Sequence, residues 1–270
     1  MTHLDTFRTF IREHPRVVVL TGAGISAAAG IPTYRDSSGV WRHSEPVQHS
    51  EFLNDHRRRQ RYWLRSMNGW PTVRDSRPTQ AHSALAALEQ SGNIELIITQ
   101  NVDRLHQRAG AKNVIDLHGR LDRVICLDCE RFQTRDAIQQ QMNLNNAAHP
   151  QETSKRPDGD AELDTDLEQA FTVPHCPECR GTLMPDVVFF GGTVPKLRVE
   201  ACMEAIERAD ALLAVGSSLQ VYSGFRFCRK AVELGKPLAI INPGKTRADD
   251  IANLKIQGDC QDLLSSFNSV

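Results

Sequence analysis

Charge in excess of either sign is missing from this chain: 32 Lys+Arg stand against 33 Asp+Glu, a formal net charge of -1 at pH 7. That excludes a polycation that holds nucleic acid or anionic lipid by bulk charge. No uninterrupted apolar run approaches the ~20 residues needed to cross a bilayer. The first residues, Met1 to Arg16, also lack the apolar core of a secretory signal. The expectation is a cytoplasmic protein without a membrane partner, with the mitochondrial matrix as the alternative if a presequence has been removed. No internal repeat is evident. What is present, 40% hydrophobic and 24% charged residues over 270 positions, suits one large domain, or a large domain plus a small module.

Cysteine is sparse and odd in number, with 7 in the chain. A disulfide framework fits that count and a reducing compartment poorly. Four of them form two C-x-x-C pairs, Cys126–Cys129 and Cys176–Cys179, separated by residues 130–175. Two such knuckles supply four thiolates at the spacing of a tetrahedral zinc site. A redox motif would explain one pair but not two flanked by Leu127-Asp128 and Pro177-Glu178. With four thiolates the ion would have no open position, so its role would be structural. Cys202 and Cys228 lie in helix-like stretches and are expected to pack in the core.

Short apolar runs at Val17–Leu20, Ile94–Thr99, Val114–Leu117, Ala211–Val215 and Pro237–Ile241 read as buried strands. Helical spacing fills Thr79–Gln90, Val199–Arg208 and Gly224–Leu234. This alternation predicts the α/β class, a Rossmann-like, doubly wound parallel sheet domain with an inserted small zinc-binding module. The sheet domain is expected over 1–121 and 187–270, the module over 122–186. Residues 143–170, rich in Asn, Asp, Glu and Pro, read as a long surface loop of the module.

Directly after the first strand, Gly22-x-Gly24-x-x-Ala27 fits a dinucleotide-binding turn, in which glycine lets the backbone approach a pyrophosphate at a helix N-terminus. Glycine turns after strands are common, so the motif is moderate alone. No second strand ending in a ribose-binding acid follows, which argues against a hydride-transfer enzyme. Instead Ile31–Trp41 reads as a polar loop with an aromatic anchor, either a lid over a cofactor or a surface linker. Further strand ends carry Gln100-Asn101-Val102-Asp103, His118-Gly119, Gly216-Ser217-Ser218 and Asn242-Pro243-Gly244. Polar residues at the carboxyl ends of parallel strands converge where open α/β sheets bind ligands. A histidine there can serve as a general base near neutral pH.

The motifs Gly22-Ala23-Gly24-Ile25-Ser26, Gly30-Ile31-Pro32-x-Tyr34-Arg35, Thr99-Gln100-Asn101-Val102-Asp103-x-Leu105-His106, Leu117-His118-Gly119, Pro185–Gly191 and Gly216-Ser217-Ser218, with the cysteine pairs between them, resemble the sirtuins. These are NAD-dependent protein-lysine deacylases, and the match runs in order over roughly residues 14–262. Arg61-Tyr62-Trp63, Gly69-Trp70-Pro71 and Ser218–Gly224 resemble the class II branch, whose extra loop reaches toward the active site. The resemblance implies NAD as co-substrate, one structural zinc, and an acyl-lysine protein or peptide as partner. His118 would deprotonate a ribose hydroxyl, with Asn101 beside it. Gly22, Ala23, Gly24, Thr33, Tyr34, Arg35 and Trp41 would hold the pyrophosphate and nearby ribose. Gln100, Asn101, Val102 and Asp103 would hold the nicotinamide side. Gly216, Ser217, Ser218, Asn242, Pro243, Gly244, Asp259 and Cys260 would hold the adenosine half. Products would be free lysine, nicotinamide and O-acyl-ADP-ribose.

Two segments, Val188-Phe189-Phe190-Gly191 and Leu219-Gln220-Val221-Tyr222, are expected to pair with the substrate backbone as strands, giving low sequence selectivity. Tyr62-x-x-Arg65 resembles the pair by which another sirtuin class holds succinyl and malonyl groups. The stretch Arg57-Arg58-Arg59-Gln60-Arg61 beside it reads equally as a solvated helix face. Two other functions stay open: ADP-ribosyl transfer to protein from the same site, and a zinc ribbon that binds nucleic acid or protein. Six acidic residues between Asp158 and Glu168 argue against nucleic acid. A monomer is expected.

Overall fold

The computed structural model describes residues 2–33, 46–147, 154–155, 161–162 and 170–267. Among them the strands are β1 (Val17–Thr21), β2 (Ile94–Thr99), β3 (Val114–Asp116), β4 (Gly119–Cys126), β5 (Phe132–Thr134), β6 (Ser154–Lys155), β7 (Ala161–Glu162), β8 (Leu183–Val187), β9 (Ala211–Val215), β10 (Leu238–Ile241) and β11 (Leu254–Ile256). The α-helices are α1 (His3–Glu13), α2 (His49–Asn54), α3 (His56–Asp75), α4 (Gln80–Gln90), α5 (Leu105–Arg108), α6 (Arg135–Asn145), α7 (Lys196–Arg208), α8 (Tyr222–Glu233) and α9 (Cys260–Phe267). None of the described helices is long and apolar enough to cross a membrane.

Six strands form a parallel sheet in the order β11-β10-β9-β1-β2-β3. Every residue of β1, β9 and β10 is buried, which explains why their sequences are continuous apolar runs rather than alternating ones. One face of the sheet packs on α1, α4 and α9 through Phe7, Leu85 and Leu264. The other packs on α7 and α8 through Ile206 and Phe227, with Cys202 and Cys228 buried among them as expected. Each such buried Leu, Ile or Phe contributes about 1.5–3 kcal/mol. From β1 the chain builds outward through β2 and β3 on one side, then through β9, β10 and β11 on the other. The order reverses between β1 and β9, and that reversal opens the crevice in which such sheets bind ligands.

A second, antiparallel sheet runs β5-β4-β8. The chain crosses to it at Gly119, one residue after His118. Gly119 has φ +84, and a Cβ there would lie 2.1 Å from the Asp186 carbonyl oxygen, so only glycine makes this turn. The core under the small sheet draws on Val124, Cys126, Ile138 and Leu183, and equally on Val47, Phe52, Tyr62, Trp63 and Met67 from the segment of α2 and α3. Pro71 inside α3 has no N–H to give to the Met67 carbonyl. Gln139 of α6 donates its Nε2 to that carbonyl at 2.9 Å, and the buried Arg135 donates to the Ser66 carbonyl, so the helix defect becomes a junction between α3 and α6.

Three local features depart from or add to the sequence reading. The Ala-rich segment after β1 is a 3-10 helix, Ala23–Ala29, that ends at Gly30 in the left-handed region. The stretch 143–170 is not wholly loop: α6 runs to Asn145, and β6 pairs antiparallel with β7. Strand β11 lies in a sequence of mixed polarity, Leu254-Lys255-Ile256, which lacks the apolar run that marks the interior strands.

Candidate active site

Two glycine turns meet at the sheet's switch point. A Cβ on Gly22 would lie 2.7 Å from the Ser217 Cβ, and one on Gly24 would lie 2.8 Å from the Gly216 carbonyl oxygen. Gly216 itself has φ +59. The Gly24 N–H donates to the Gly216 carbonyl at 2.8 Å. The loops after β1 and β9 therefore close on each other only because both lack side chains there. This is the kind of cradle that a dinucleotide pyrophosphate needs.

The polar wall comes from the ends of β2 and β3. Asn101 donates its Nδ2 to the Gly22 carbonyl at 3.1 Å and to Ser26 Oγ at 3.0 Å. Ser26 donates in turn to the Asp103 carboxylate at 2.7 Å, which also accepts from the Leu105 N–H at 2.9 Å. Burial pushes the Asp103 carboxyl up, against the pull of those two hydrogen bonds. Behind the turn, His106 Nε2 shares a hydrogen bond of 2.9 Å with Thr21 Oγ1 and packs on His82, and burial drives both imidazoles toward the neutral form. Gln100 donates its Nε2 to Ser217 Oγ at 2.9 Å, tying the β2 end to the β9 end.

His118 stands where β3 hands over to β4. Its Nδ1 lies 3.0 Å from the Gln100 carbonyl oxygen and its Nε2 lies 2.7 Å from Ser223 Oγ. Burial pushes its pKa down to about 4; the Gln100 carbonyl opposes this, and the Arg198 and Arg226 charges add to it. The ring is therefore neutral near pH 7. A carbonyl can only accept, so Nδ1 carries the proton and Nε2 keeps the lone pair that a base uses.

A cavity of about 630 Å³ joins these parts. Its lining contains Gly22, Ala23, Gly24, Thr33, Gln100, Asn101, Val102 and His118 from the first strand ends. It contains Gly216, Ser217, Ser218, Asn242, Pro243, Gly244, Asp259 and Cys260 from the far side, and Tyr62, Val188–Gly191 and Leu219–Tyr222 at the margin. Asp103 and Arg65 are outside the lining: Asp103 reaches it through Ser26 and Asn101, and Arg65 is buried at 5% exposure. Tyr34, Arg35 and Trp41 lie outside the described residues. Cys260 is buried, and desolvation lifts its thiol to about 12, so it lines the cavity as a neutral group.

The sulfur atoms of Cys126, Cys129, Cys176 and Cys179 all lie within 4.8 Å of one another. Cys126 and Cys179 are 3.5 Å apart, and Cys129 and Cys176 are 3.8 Å apart. A tetrahedral ion with Zn–S near 2.3 Å separates its sulfurs by about 3.8 Å. One zinc fits this cage, with all four positions taken and none left for chemistry.

Known proteins share this arrangement. A model of the Sir2 family matches residues 22–223. The chain belongs to the Sir2 family, the sirtuins. It is 50% identical over 257 residues to an NAD-dependent protein deacetylase of Xanthomonas campestris pv. campestris strain 8004, covering 95% of this chain and 88% of that one. It is 48% identical over 273 residues to an NAD-dependent protein deacetylase of Bordetella bronchiseptica, covering 100% and 98% of the two. Among solved structures, a Sir2 complex with a p53 peptide and NAD+ superposes with TM-score 0.80 at 31% identity, over 98% of this chain and 97% of that one. A Sir2 bound to acetylated peptide gives 0.78 at 30% identity, over the same shares.

This sirtuin's cavity also uses residues that motif reading passed over. Ser223 and Arg226 on the first turns of α8, Lys245 after β10, and Pro46 and Val47 before α2 all line it. Ser223 sits inside the motif Ser218–Gly224, in the first turn of α8, the helix that follows the β9 strand end at the crevice. That placement was the available signal.

Proposed function

We propose that this protein removes acyl groups from lysine side chains in an NAD-dependent reaction, with acetyl-lysine as the principal substrate. The observation that carries the proposal is a single cavity containing the glycine cradle, Asn101, the neutral His118 and two margins, Val188–Gly191 after β8 and Leu219–Tyr222 leading into α8. NAD, when bound, supplies an electrophilic ribose carbon and nicotinamide as leaving group. Gly22, Ala23, Gly24 and Ser217 would hold its pyrophosphate, and Asn242, Gly244 and Asp259 its adenosine half. Asn101, fixed by Gly22 and Ser26, orients what lies at the inner end. His118 accepts a proton at Nε2, a contribution of about 10²–10⁴-fold for a positioned base. Val188–Gly191 and Leu219–Tyr222 offer backbone on either side of an extended peptide.

The acyl end of the cavity favours an uncharged group. Tyr62 reaches the wall with its ring edge-to-face on Phe189 at 5.1 Å and on Phe52 at 5.3 Å, while Arg65 is buried and does not line the cavity. A carboxylate placed there would lose water against an aromatic wall. The class II assignment rests on the sequence motifs around Tyr62 and Ser218.

The test is a reaction with NAD and peptides carrying acetyl, succinyl, glutaryl, hydroxymethylglutaryl, lipoyl and long acyl chains. We expect deacetylated peptide, nicotinamide and O-acetyl-ADP-ribose in equal amounts, with acetyl preferred. Mass spectrometry showing ADP-ribose attached to protein in place of free deacylated lysine, or no nicotinamide release with any peptide, would overturn the reading.

A further inference from the structure

His118 is held at both ring nitrogens before any ligand arrives. Its backbone is fixed as well, since the Val188 N–H donates to the His118 carbonyl at 2.8 Å. Because Nδ1 must donate to the Gln100 carbonyl, Nε2 is the acceptor, and the Ser223 hydroxyl donates to it at 2.7 Å. Ser223 is in the first turn of α8, and Gly224 follows it. A Cβ on Gly224 would lie 2.6 Å from Gln100 Oε1, so the missing side chain is what lets this turn close on the β2 end. The same Gln100 reaches Ser217 through its amide and His118 through its carbonyl. Ser217, Gln100, His118 and Ser223 thus form one connected chain across the crevice.

We propose that Ser223 is a positioning residue for the proposed base: its hydroxyl keeps the His118 ring in the Nδ1–H tautomer, with the Nε2 lone pair aimed into the cavity, until a substrate hydroxyl takes its place. The proposal deepens the deacylase reading and rests on it. The exchange is balanced, because one hydroxyl donor to Nε2 replaces another and no proton changes hands until the substrate's own is abstracted. A ring locked this way arrives preorganised, which avoids the loss of a free rotor settling at the moment of reaction.

Two cations face the ring. Arg198 of α7 donates Nη1 to the Leu117 carbonyl at 3.1 Å, and Arg226 of α8 lines the cavity one helical turn beyond Ser223. Both disfavour imidazolium, in the same direction as burial. The Ser223 hydroxyl donates to the neutral ring and must turn to accept from Nε2–H once the ring is protonated, so it bears on both ring forms. Removing it therefore shifts the His118 titration.

The test uses the full chain labelled with nitrogen-15 histidine, with His118→Gln to assign the resonances. Wild type is expected to show a protonated Nδ1 and a hydrogen-bonded, unprotonated Nε2. Ser223→Ala is expected to shift the Nε2 resonance, move the His118 titration by roughly half to one pH unit and lower kcat by up to about tenfold. The acid limb of the rate profile should move with the titration. Ser223→Thr, which keeps the hydroxyl, is expected to restore all three. If Ser223→Ala leaves the Nε2 resonance and the titration where they were, the proposal is overturned, whatever happens to thermal stability. The resonance measurement needs no turnover: failure of wild type to consume NAD would sink the deacylase reading and leave the tautomer result to stand or fall separately.

Discussion

The cysteine cage and the crevice hold their key atoms in opposite ways. In the cage, four side chains of one type converge from two short turns, and a single ion would bind them together. In the crevice, no one interaction dominates. Gly22 meets Ser217, Asn101 meets Ser26, Gln100 meets Ser217, and His118 meets Gln100 and Ser223, each through contacts below about 3.2 Å or through a missing Cβ. The cage should fail all at once. The crevice should fail in parts, with each substitution removing one function while the fold persists.

The largest effect is expected at the cage. Structural zinc sites contribute on the order of 10–16 kcal/mol in small domains, more than most whole domains have in reserve. Cys176→Ala should lose zinc, measured as metal per chain, together with the small sheet and all activity. Cys202→Ala, whose sulfur is buried against α8 and the sheet, should keep its zinc. Full zinc content in the first variant would break the contrast.

Next in size is His118→Ala. Its kcat should fall by about 10²–10⁴-fold with thermal stability within a few degrees of wild type, because the loss is of a base and not of core volume. A comparable fall in stability would make the crevice resemble the cage. Smaller again is Gly24→Ala. Its Cβ would press the Gly216 backbone at 2.8 Å, so the two turns must part. KM for NAD should rise by about tenfold, equivalent to ~1.4 kcal/mol. Gly30→Ala is the control: φ is +81 there but no described residue lies within 4 Å, so its cost is local strain of about 1–2 kcal/mol.

The same contrast explains what could be read in advance. The cage was legible because zinc fixes both residue type and spacing. The interior strands were legible because burial on both faces demands apolar runs, and the crevice residues Gly22, Asn101 and His118 because they sit at the ends of those runs. The edge strand β11 and the 3-10 turn after β1 were not, since neither has a periodicity of its own. Nor was the partnership of α3 with the small sheet. It depends on Gln139 and Arg135 answering carbonyls of α3, and contacts between residues some 70 positions apart leave no local pattern.

The smallest effect is expected at the border between the two regions, on α3. Arg57 is exposed, but Arg65, two turns further on, is buried beside the aromatic cluster and outside the cavity wall. As a receptor for an acidic acyl group it would have to reach a cavity it does not line, whose wall on α3 is Tyr62, with its ring fixed against Phe52 and Phe189. Arg65→Met should therefore change the ratio of kcat/KM for succinyl-lysine over acetyl-lysine peptide by less than about threefold, against the hundredfold or more that losing a buried charged hydrogen bond brings. Using the ratio cancels any loss of folded protein. A collapse confined to the succinyl peptide would place the Arg65 guanidinium in the acyl end after all, and would make α3 part of the crevice and not merely its support.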